Sequence, residues 1–488
     1  MKRLGDLLKG IDIRSVTGDT GIPIDQITSD SRKAGPGTMF VAIRGTRTDG
    51  HLYIGDAVRA GSPAVVCERL PEGGSQAGVT IVVGDSNEAL GILASQLSGN
   101  PSASLRLVGV TGTNGKTTVA TLLYRLFTAM GYRCGLLSTV CNYINDRRSE
   151  ATHTTPDQVE LNALLAEMVA SGCDYAFMEV SSHAIDQRRI AGLTYAGGIF
   201  TNLTHDHLDY HGTLSNYLNA KKKFFDSLGA EAFAVVNADD RNGRVMVQNC
   251  AASIYTYSVT GMADFRASVM EMLIDGMKLK MEGNEIWTPL IGDFNASNLL
   301  AVYAASRLLG VNAGESLRVL SMMTPVPGRL EIVRSANGIT GLVDYAHSPD
   351  ALRNVTGTIN RIRKGKVRLI IIVGAGGDRD RTKRPLMASI AARGSDLLIL
   401  TSDNPRSEDP EKIIDDMEAG LDEGMRKKTI RISDRRSAIR TGVKMAQPGD
   451  LVLVAGKGHE TYQEINGVRH HFDDREELAK AFIDENSN

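Results

Sequence analysis

The chain has 488 residues, 42% hydrophobic and 23% charged, with 55 Lys and Arg against 57 Asp and Glu for a net charge of −2. At roughly 150 residues per domain, that length gives about three domains, and the composition is that of a folded globular protein, neither disordered nor fibrous. The balance of charge excludes a global field for nucleic acid or an anionic membrane, so any anion must be bound locally.

The start "MKRLGDLLKGIDI" interrupts its apolar positions with Asp6, Lys9 and Asp12, which the core of a signal peptide does not tolerate. No run approaches the roughly 18 apolar residues of a membrane span. The protein is therefore expected in the cytoplasm; separately, a monomer is the expected state. Residues 1–100 alternate short apolar runs ("MFVAI", "PAVVC", "VTIVVG") with helical stretches and end in the Gly/Pro/Ser segment "LSGNPSASL", which marks a first boundary. From "LRLVGVTG" the buried-strand runs "DYAFMEV", "GGIFTN" and "AFAVVN" alternate with helices such as "VATLLYRLFTAMG", the rhythm of a parallel sheet covered by helices. It restarts after "MTPVPGRLEIV" with "GLVDYAH", "RLIIIVGAGG", "DLLILTSDNP" and "DLVLVAGKG". The expected architecture is α/β in three domains, 1–100, 101–333 and 334–488, with ligand sites past the carboxyl ends of the strands. Cys67, Cys134, Cys141, Cys173 and Cys250 are scattered without Cys-x-x-Cys spacing and read as buried free thiols.

"LVGVTGTNGKTTVATLL" places a strand, a Gly-rich turn, a Lys and two Thr directly before a helix. Backbone N–H groups of such a turn cradle phosphates, Lys116 adds a cation and a Thr hydroxyl can ligate Mg²⁺. The strict pattern wants Gly where Val110 stands; Gly112, Gly115, Lys116, Thr117 and Thr118 carry the signal instead. Glu179, at the end of "DYAFMEV", reads as a Mg²⁺ ligand or as a solvated carboxylate. "TNLTHDHLDYHG" gathers His205, His207, His211, Asp206 and Asp209, without the helix spacing of a zinc site, so a second Mg²⁺ contact fits better. Of the three lysines in "NAKKKFF", Lys221 stands at helical distance from Phe224 and Phe225 and can point inward; the other two read as a solvated face.

Together, "GTNGKTT", "HTTP", "EVSSHAIDQRR", "TNLTHDHLDYHG", "AKKKFF", "GDFNASNLLAV", "PGRLE", "DYAHSPDAL", "GAGGDRDRTKRP", "SDNPRSEDP" and "VAGKGHETYQ" resemble, in order through all three domains, the Mur ligases of peptidoglycan synthesis. The resemblance implies a small N-terminal substrate domain for a UDP-sugar, a central P-loop ATPase-like domain and a Rossmann-like C-terminal domain. It implies an ATP- and Mg²⁺-dependent ligase that activates a carboxylate of UDP-N-acetylmuramoyl-L-alanyl-D-glutamate as an acyl phosphate, which an amino-acid amine then attacks. Gly112, Thr113, Asn114, Gly115, Lys116, Thr117, Thr118, Asn298, Arg329, Asp344 and His347 match nucleotide contacts, and Thr117, Glu179 and His207 match the metal positions. Lys221 matches a lysine that becomes a metal-binding carbamate. Ser29, Ser31, Thr46, Arg47, Thr48, Thr154, Thr155, Ser181, Gln187 and Arg189 match the muramoyl-peptide contacts.

The loop "DNPR", Asp403 to Arg406, matches the one that reads the incoming amino acid, with Arg379, Gly456 and Glu460 completing the pocket. Meso-diaminopimelate ends in an amine and a carboxylate, L-lysine in an amine only. Arg406 can pair bidentately with the extra carboxylate, Asp403 and Asn404 can accept from the ammonium, and Pro405 can fix the loop. Diaminopimelate is the implied substrate, with lysine or a folylpolyglutamate-type reaction as alternatives. A plain turn with Arg406 paired to Glu408 or Asp409 is the reading from the residues alone.

Overall fold

The computed structural model describes residues 1–45, 48–70, 77–363 and 367–486. The expectations for Thr46 and Arg47 fall outside these residues. Among the described residues the chain builds three main sheets. The N-terminal sheet runs, in spatial order, Ile13–Thr17, Val79–Val83, Ala64–Cys67, Thr38–Val41 and Gln26–Thr28, parallel except for its first strand.

The central sheet has eleven strands. Its parallel core runs Cys134–Leu137, Tyr175–Glu179, Arg106–Thr111, Gly197–Phe200, Phe233–Asn237 and Ser253–Ser258. All but the last of these are buried on both faces, which is why they read as unbroken apolar runs; Ser253–Ser258 is partly exposed over its first four residues. Antiparallel strands Asn142–Ile144 and Arg147–Ser149 extend one edge; at the other, Phe265–Leu273 adds in parallel to Ser253–Ser258 and then turns into an antiparallel meander with Gly276–Met281 and Asn284–Thr288.

The C-terminal sheet runs Glu331–Arg334, Thr340–Asp344, Leu451–Ala455, Leu369–Val373, Leu397–Leu400 and Thr429–Arg431. Its first strand is antiparallel to Thr340–Asp344, and the rest are parallel. The expected boundary at 333/334 therefore cuts a strand. Residues 331–334 pair backbone to backbone with Thr340–Asp344, so this unit begins before Glu331.

Two seams join the units. Helix Ser86–Leu97 of the N-terminal unit packs on Gln158–Ala170 of the central one. The same helix also lies against the segment around Ala191, where a Cβ on Gly91 would lie 2.7 Å from Ala191 O, and Arg188 adds ion pairs to Asp85 and Glu88. Between the central and C-terminal units, Ile291 joins the apolar core of the C-terminal sheet, with Phe294 packed against it. Arg361 pairs with Asp293 at 2.5 Å. Four of the five cysteines are buried and Cys250 is half-buried, all as free thiols.

Candidate active site

A cavity of about 1180 Å³ opens between the carboxyl ends of the central and C-terminal strands, lined from both units. Its floor is the loop after strand Arg106–Thr111. Gly112 and Gly115 both take positive φ, 150° and 91°, a region that favours glycine. Space requires glycine as well: a Cβ on Gly112 would collide with the Thr201 hydroxyl, and one on Gly115 would lie 2.6 Å from Asn298 Oδ1. Helix Lys116–Ala129 starts here, and its first N–H groups have no intrahelical acceptor. Thr113 and Asn114 donate from their backbones to Asn202 O and Oδ1 at 2.8 and 2.9 Å, which fixes the loop against the neighbouring strand end.

Lys116 folds back, its Nζ donating to Gly112 O (3.0 Å) and Thr113 O (2.9 Å). Burial lowers its pKa, against the pull of Glu179 and Asp206. Lys221, on helix Leu214–Asp226, is 1% exposed and donates to the same Gly112 carbonyl at 2.8 Å, over the Tyr217 ring. Burial, reinforced by the Lys116 charge, holds this amine well below the usual lysine range. The inward reading of Lys221 thus has its physical basis in the amphipathic helix. Lys222 and Lys223 pair instead with Asp226 and Asp186.

Glu179 ends strand Tyr175–Glu179 and is 1% exposed, so it is not a solvated carboxylate. Its Oε1 accepts from Thr139 N at 2.7 Å, and its Oε2 has no partner. His207, at φ 54°, lines the cavity beside Asp206. Burial lowers the pKa of His207, while the neighbouring His207, His347 and Lys383 hold that of Asp206 down against its burial. The other two histidines of this stretch diverge: His211 meets Ser182 Oγ at 3.0 Å, and His205 lies exposed near Asp380. Among the described residues, no group of three His, Cys, Asp or Glu forms a metal-binding set.

From the C-terminal side, Arg329 donates to Thr117 Oγ1 at 3.2 Å, with its guanidinium 4.3 Å above the Tyr345 ring. Asp344 accepts from the N–H groups of Leu330 (2.6 Å) and Ala346 (2.8 Å). Burial raises its pKa to about 6 against the Arg329 charge and those two bonds. His347 makes a 2.8 Å Nδ1 contact with Tyr345 O, and Asn298 donates to Asn295. All four, Asn298, Arg329, Asp344 and His347, line the cavity with the phosphate loop.

Thr154, Thr155, Ser181 and Arg189 line its far wall. Arg189 forks onto Gln187 Oε1 (3.0 and 2.7 Å) and donates to Thr155 O. Thr155 in turn donates to Glu179 O at 2.8 Å, so this group is tied to the carboxylate strand. Ser29, Ser31 and Thr48 lie in the N-terminal unit and are not part of the cavity lining.

Arg379 lines the cavity, whereas Asp403, Asn404, Pro405, Arg406, Gly456 and Glu460 form a neighbouring cluster at the ends of Leu397–Leu400 and Leu451–Ala455. Gly376 bridges the two: a Cβ there would lie 3.0 Å from Arg406 Nη1 and 3.7 Å from Arg379 Cγ. Two expectations for this loop change. Asn404 is not a free acceptor, because its Oδ1 already takes Lys457 Nζ and Glu464 N, at 3.0 and 2.9 Å. Nor does Pro405 alone aim the arginine. Arg406 sits at φ 51° and exchanges backbone bonds with Glu464 and Asn466 of the hairpin Tyr462–Ile465/Val468–His471. Pairing of Arg406 with Glu408 is also absent, since Glu408 is taken by Arg381 and Arg384.

Residues that the sequence reading passed over complete the cluster. Lys457, inside the quoted "VAGKG", is one. The fully buried pair Arg435–Asp474 is another, and it also holds Ser402 O and Ala455 O. Position within a motif was the available signal for Lys457; the partners of Arg435 lie 20 to 39 residues away and leave none.

Three family descriptions match the chain in order: the Mur ligase family catalytic domain over 23–98, the Mur ligase middle domain over 110–306 and the Mur ligase glutamate ligase domain over 328–458. A UDP-N-acetylmuramoyl-L-alanyl-D-glutamate–2,6-diaminopimelate ligase of Bacteroides thetaiotaomicron is 54% identical over 98% of this chain and 99% of its own. The ligase of the same name from Parabacteroides distasonis is 54% identical over 99% of this chain and 100% of its own. A solved structure of a ligase of that name superposes with a TM-score of 0.71 at 34% identity, covering 99% of both chains. With the family matches in order over the N-terminal, central and C-terminal units and a relative 54% identical over 98% of the chain, the chain belongs to the Mur ligase family of ATP-dependent, amide-bond-forming enzymes.

Proposed function

We propose that the protein joins meso-2,6-diaminopimelate to UDP-N-acetylmuramoyl-L-alanyl-D-glutamate, converting ATP to ADP and phosphate. The observation that carries this reading is the single cavity in which the phosphate loop, Glu179, the Thr154–Thr155–Ser181–Arg189 wall and the C-terminal Arg329, His347 and Arg379 face one another. Phosphoryl transfer asks a protein for positioning and charge neutralisation more than for covalent help, and this wall supplies both.

A carboxylate oxygen of the dipeptide attacks the γ-phosphorus of ATP, the bond to the bridging oxygen breaks, and ADP departs. The amino-acid amine, having lost its ammonium proton, attacks the acyl carbon; the C–O bond to phosphate breaks and the amide forms. The free N–H groups at the start of helix Lys116–Ala129 receive phosphate oxygens, and Lys116 swings from its own loop carbonyls onto the transferring group. Arg329, already bonded to Thr117, spans from the C-terminal unit to the nucleotide. Asn298, Asp344 and His347 complete the nucleotide wall, and Thr154, Thr155, Ser181, Gln187 and Arg189 hold the peptide end. Ser29, Ser31 and the stretch containing Thr46, Arg47 and Thr48 are assigned to the nucleotide-sugar end.

Glu179 and Thr117 fit Mg²⁺. A carboxylate oxygen that is buried and unpartnered lacks only a cation, and Mg²⁺ is commonly bound by one or two carboxylates together with substrate phosphates. When bound, the ion neutralises phosphate charge; His207 lies on the same wall. Lys221 fits conversion to a carbamate, because a neutral buried amine is the form that adds CO₂, losing one proton and becoming an anion.

The test is phosphate release by purified protein with ATP, Mg²⁺ and UDP-N-acetylmuramoyl-L-Ala-D-Glu, comparing meso-diaminopimelate with L-lysine and weighing the product. Product with diaminopimelate is expected. Product with lysine alone would retain the ligase and overturn the substrate, and no product with either would return the folate-type reading.

A further inference from the structure

Lys457 takes no part in the chemistry above. Its side chain is 0% exposed, and its Nζ donates to Asn404 Oδ1 at 3.0 Å and Glu460 Oε2 at 3.1 Å, with Asp403 Oδ1 at 3.6 Å. A buried ammonium is costly unless it is paired, and its partners here are the acceptors of the proposed amino-acid pocket. Asp403 Oδ1 is itself buried without a hydrogen-bond partner. Gly456 lets that carboxylate come close, since a Cβ there would lie 2.8 Å from Asp403 Oδ2. The other basic groups facing the cluster are Arg406, Arg435 and His347; Arg435 is neutralised by Asp474, and burial holds the His347 imidazole below its usual range.

The charge count follows. Asp403 and Glu460 with Lys457 carry a net −1 at the buried end, opposite Arg406, whose guanidinium meets Glu464 only at 4.0 Å where both side chains are partly open to solvent. Such a pocket is balanced for a side-chain end bearing both an ammonium and a carboxylate. A bare ammonium would leave Arg406 with only its bond to Gly377 O and the 4.0 Å contact to Glu464. Remove Lys457 and the acidic set becomes −2, which draws in a lone cation and weakens the claim of the carboxylate. We infer that Lys457 is a specificity-determining, positioning residue: its internal ammonium sets the pocket's charge so that a zwitterionic side-chain end is chosen over a cationic one. Electrostatic complementarity is the kind of device that separates otherwise similar partners.

The inference rests on the ligase reading, and the experiment separates the two. The ratio of kcat/KM for meso-diaminopimelate to that for L-lysine is measured for the wild type, Lys457→Met, Lys457→Arg and the double variant Lys457→Gln/Glu460→Gln. In Lys457→Met the ratio is expected to fall by about tenfold or more, through KM and with KM for ATP unchanged; in Lys457→Arg it is retained. The double variant, net −1 again, regains the wild-type ratio even at a lower rate, and because it removes both members of a buried pair it decides the matter if Lys457→Met does not fold. A ratio unchanged in a folded Lys457→Met, or lost in the double variant, overturns the role of Lys457 alone. A wild type without product, or one preferring lysine, overturns the underlying reading before any variant is made.

Discussion

Replacing Asp474 by Asn tests whether the amino-acid loops are held by a buried ion pair. Both side chains of Arg435–Asp474 are 0% exposed, and the fork is bidentate, with Nε to Oδ1 and Nη2 to Oδ2 both at 2.7 Å. Asparagine keeps the shape but removes the charge and one acceptor, leaving a guanidinium buried without a counter-ion. Breaking a buried pair in this way costs about 3–5 kcal/mol. In a unit of roughly 150 residues each kcal/mol lowers the midpoint by about 2–4 °C. Arg435 also donates to Ser402 O and Ala455 O, the residues before Asp403 and Gly456. The same variant should therefore raise KM for the amino acid while leaving KM for ATP in place. Urea unfolding gives the first quantity and steady-state kinetics the second. Replacing both members together, Arg435→Met with Asp474→Leu, should recover much of the stability but not the amino-acid affinity, because no group then spans the two loops. A loss below about 1 kcal/mol in Asp474→Asn, or equal rises in both KM values, would refute the reasoning.

Gly115→Ala places a methyl group at φ 91° and 2.6 Å from Asn298 Oδ1; a cost of about 1–3 kcal/mol and a raised KM for ATP are expected, and unaltered ATP kinetics would count against the loop geometry. Asp344, with its pKa raised to about 6, keeps a proton in the folded state that the unfolded chain has released above about pH 4. Stability should thus fall as pH rises from about 4 to 6, by up to about 3 kcal/mol. Urea midpoints across that window should slope less in Asp344→Asn, and identical slopes would refute it. Incubation with ¹³C-bicarbonate should give a carbamate carbon resonance that disappears in Lys221→Ala together with activity; an active Lys221→Ala enzyme would exclude the carbamate.

The strands were legible because parallel strands buried on two faces are unbroken apolar runs: Leu369–Val373 is buried at all five positions. The phosphate loop was legible because glycine, lysine and threonine must stand in one short segment for it to work. The meander Phe265–Thr288 was not, since its first strand alternates irregularly between exposure and partial burial around a bulge at Val269/Glu271. The hairpin beside Arg406 did carry a signal in Asn466–Gly467, both at positive φ, a pair that favours a two-residue turn. Its use could not be read, because the turn matters through backbone bonds to a loop about 60 residues earlier. Lys457 shows the same limit: its motif was visible, but which acceptors it occupies depends on two strands meeting in space.

These differences reveal how the site divides its labour. On the central sheet, the phosphate loop relies on groups fixed by local chain geometry: glycines at positive φ, helix N–H groups and a lysine folded onto its own carbonyls. Phosphate is the same in every ATP-dependent ligase, so a local motif suffices. On the C-terminal sheet, the loops are fastened by charges drawn from distant segments. Arg384 ties Gly376 O to Glu408 and Asp416, Arg435 ties Ser402 and Ala455 to Asp474, and Lys457 ties Asn404 to Glu460. Each clamp is buried or nearly so, and each joins two loops that carry proposed amino-acid contacts. Changing one clamp should therefore shift amino-acid KM and selectivity before it touches ATP. On the proposed function, the clamps act together with Arg406, itself only partly exposed and held to Gly377 O, in the choice between an ammonium and a zwitterion.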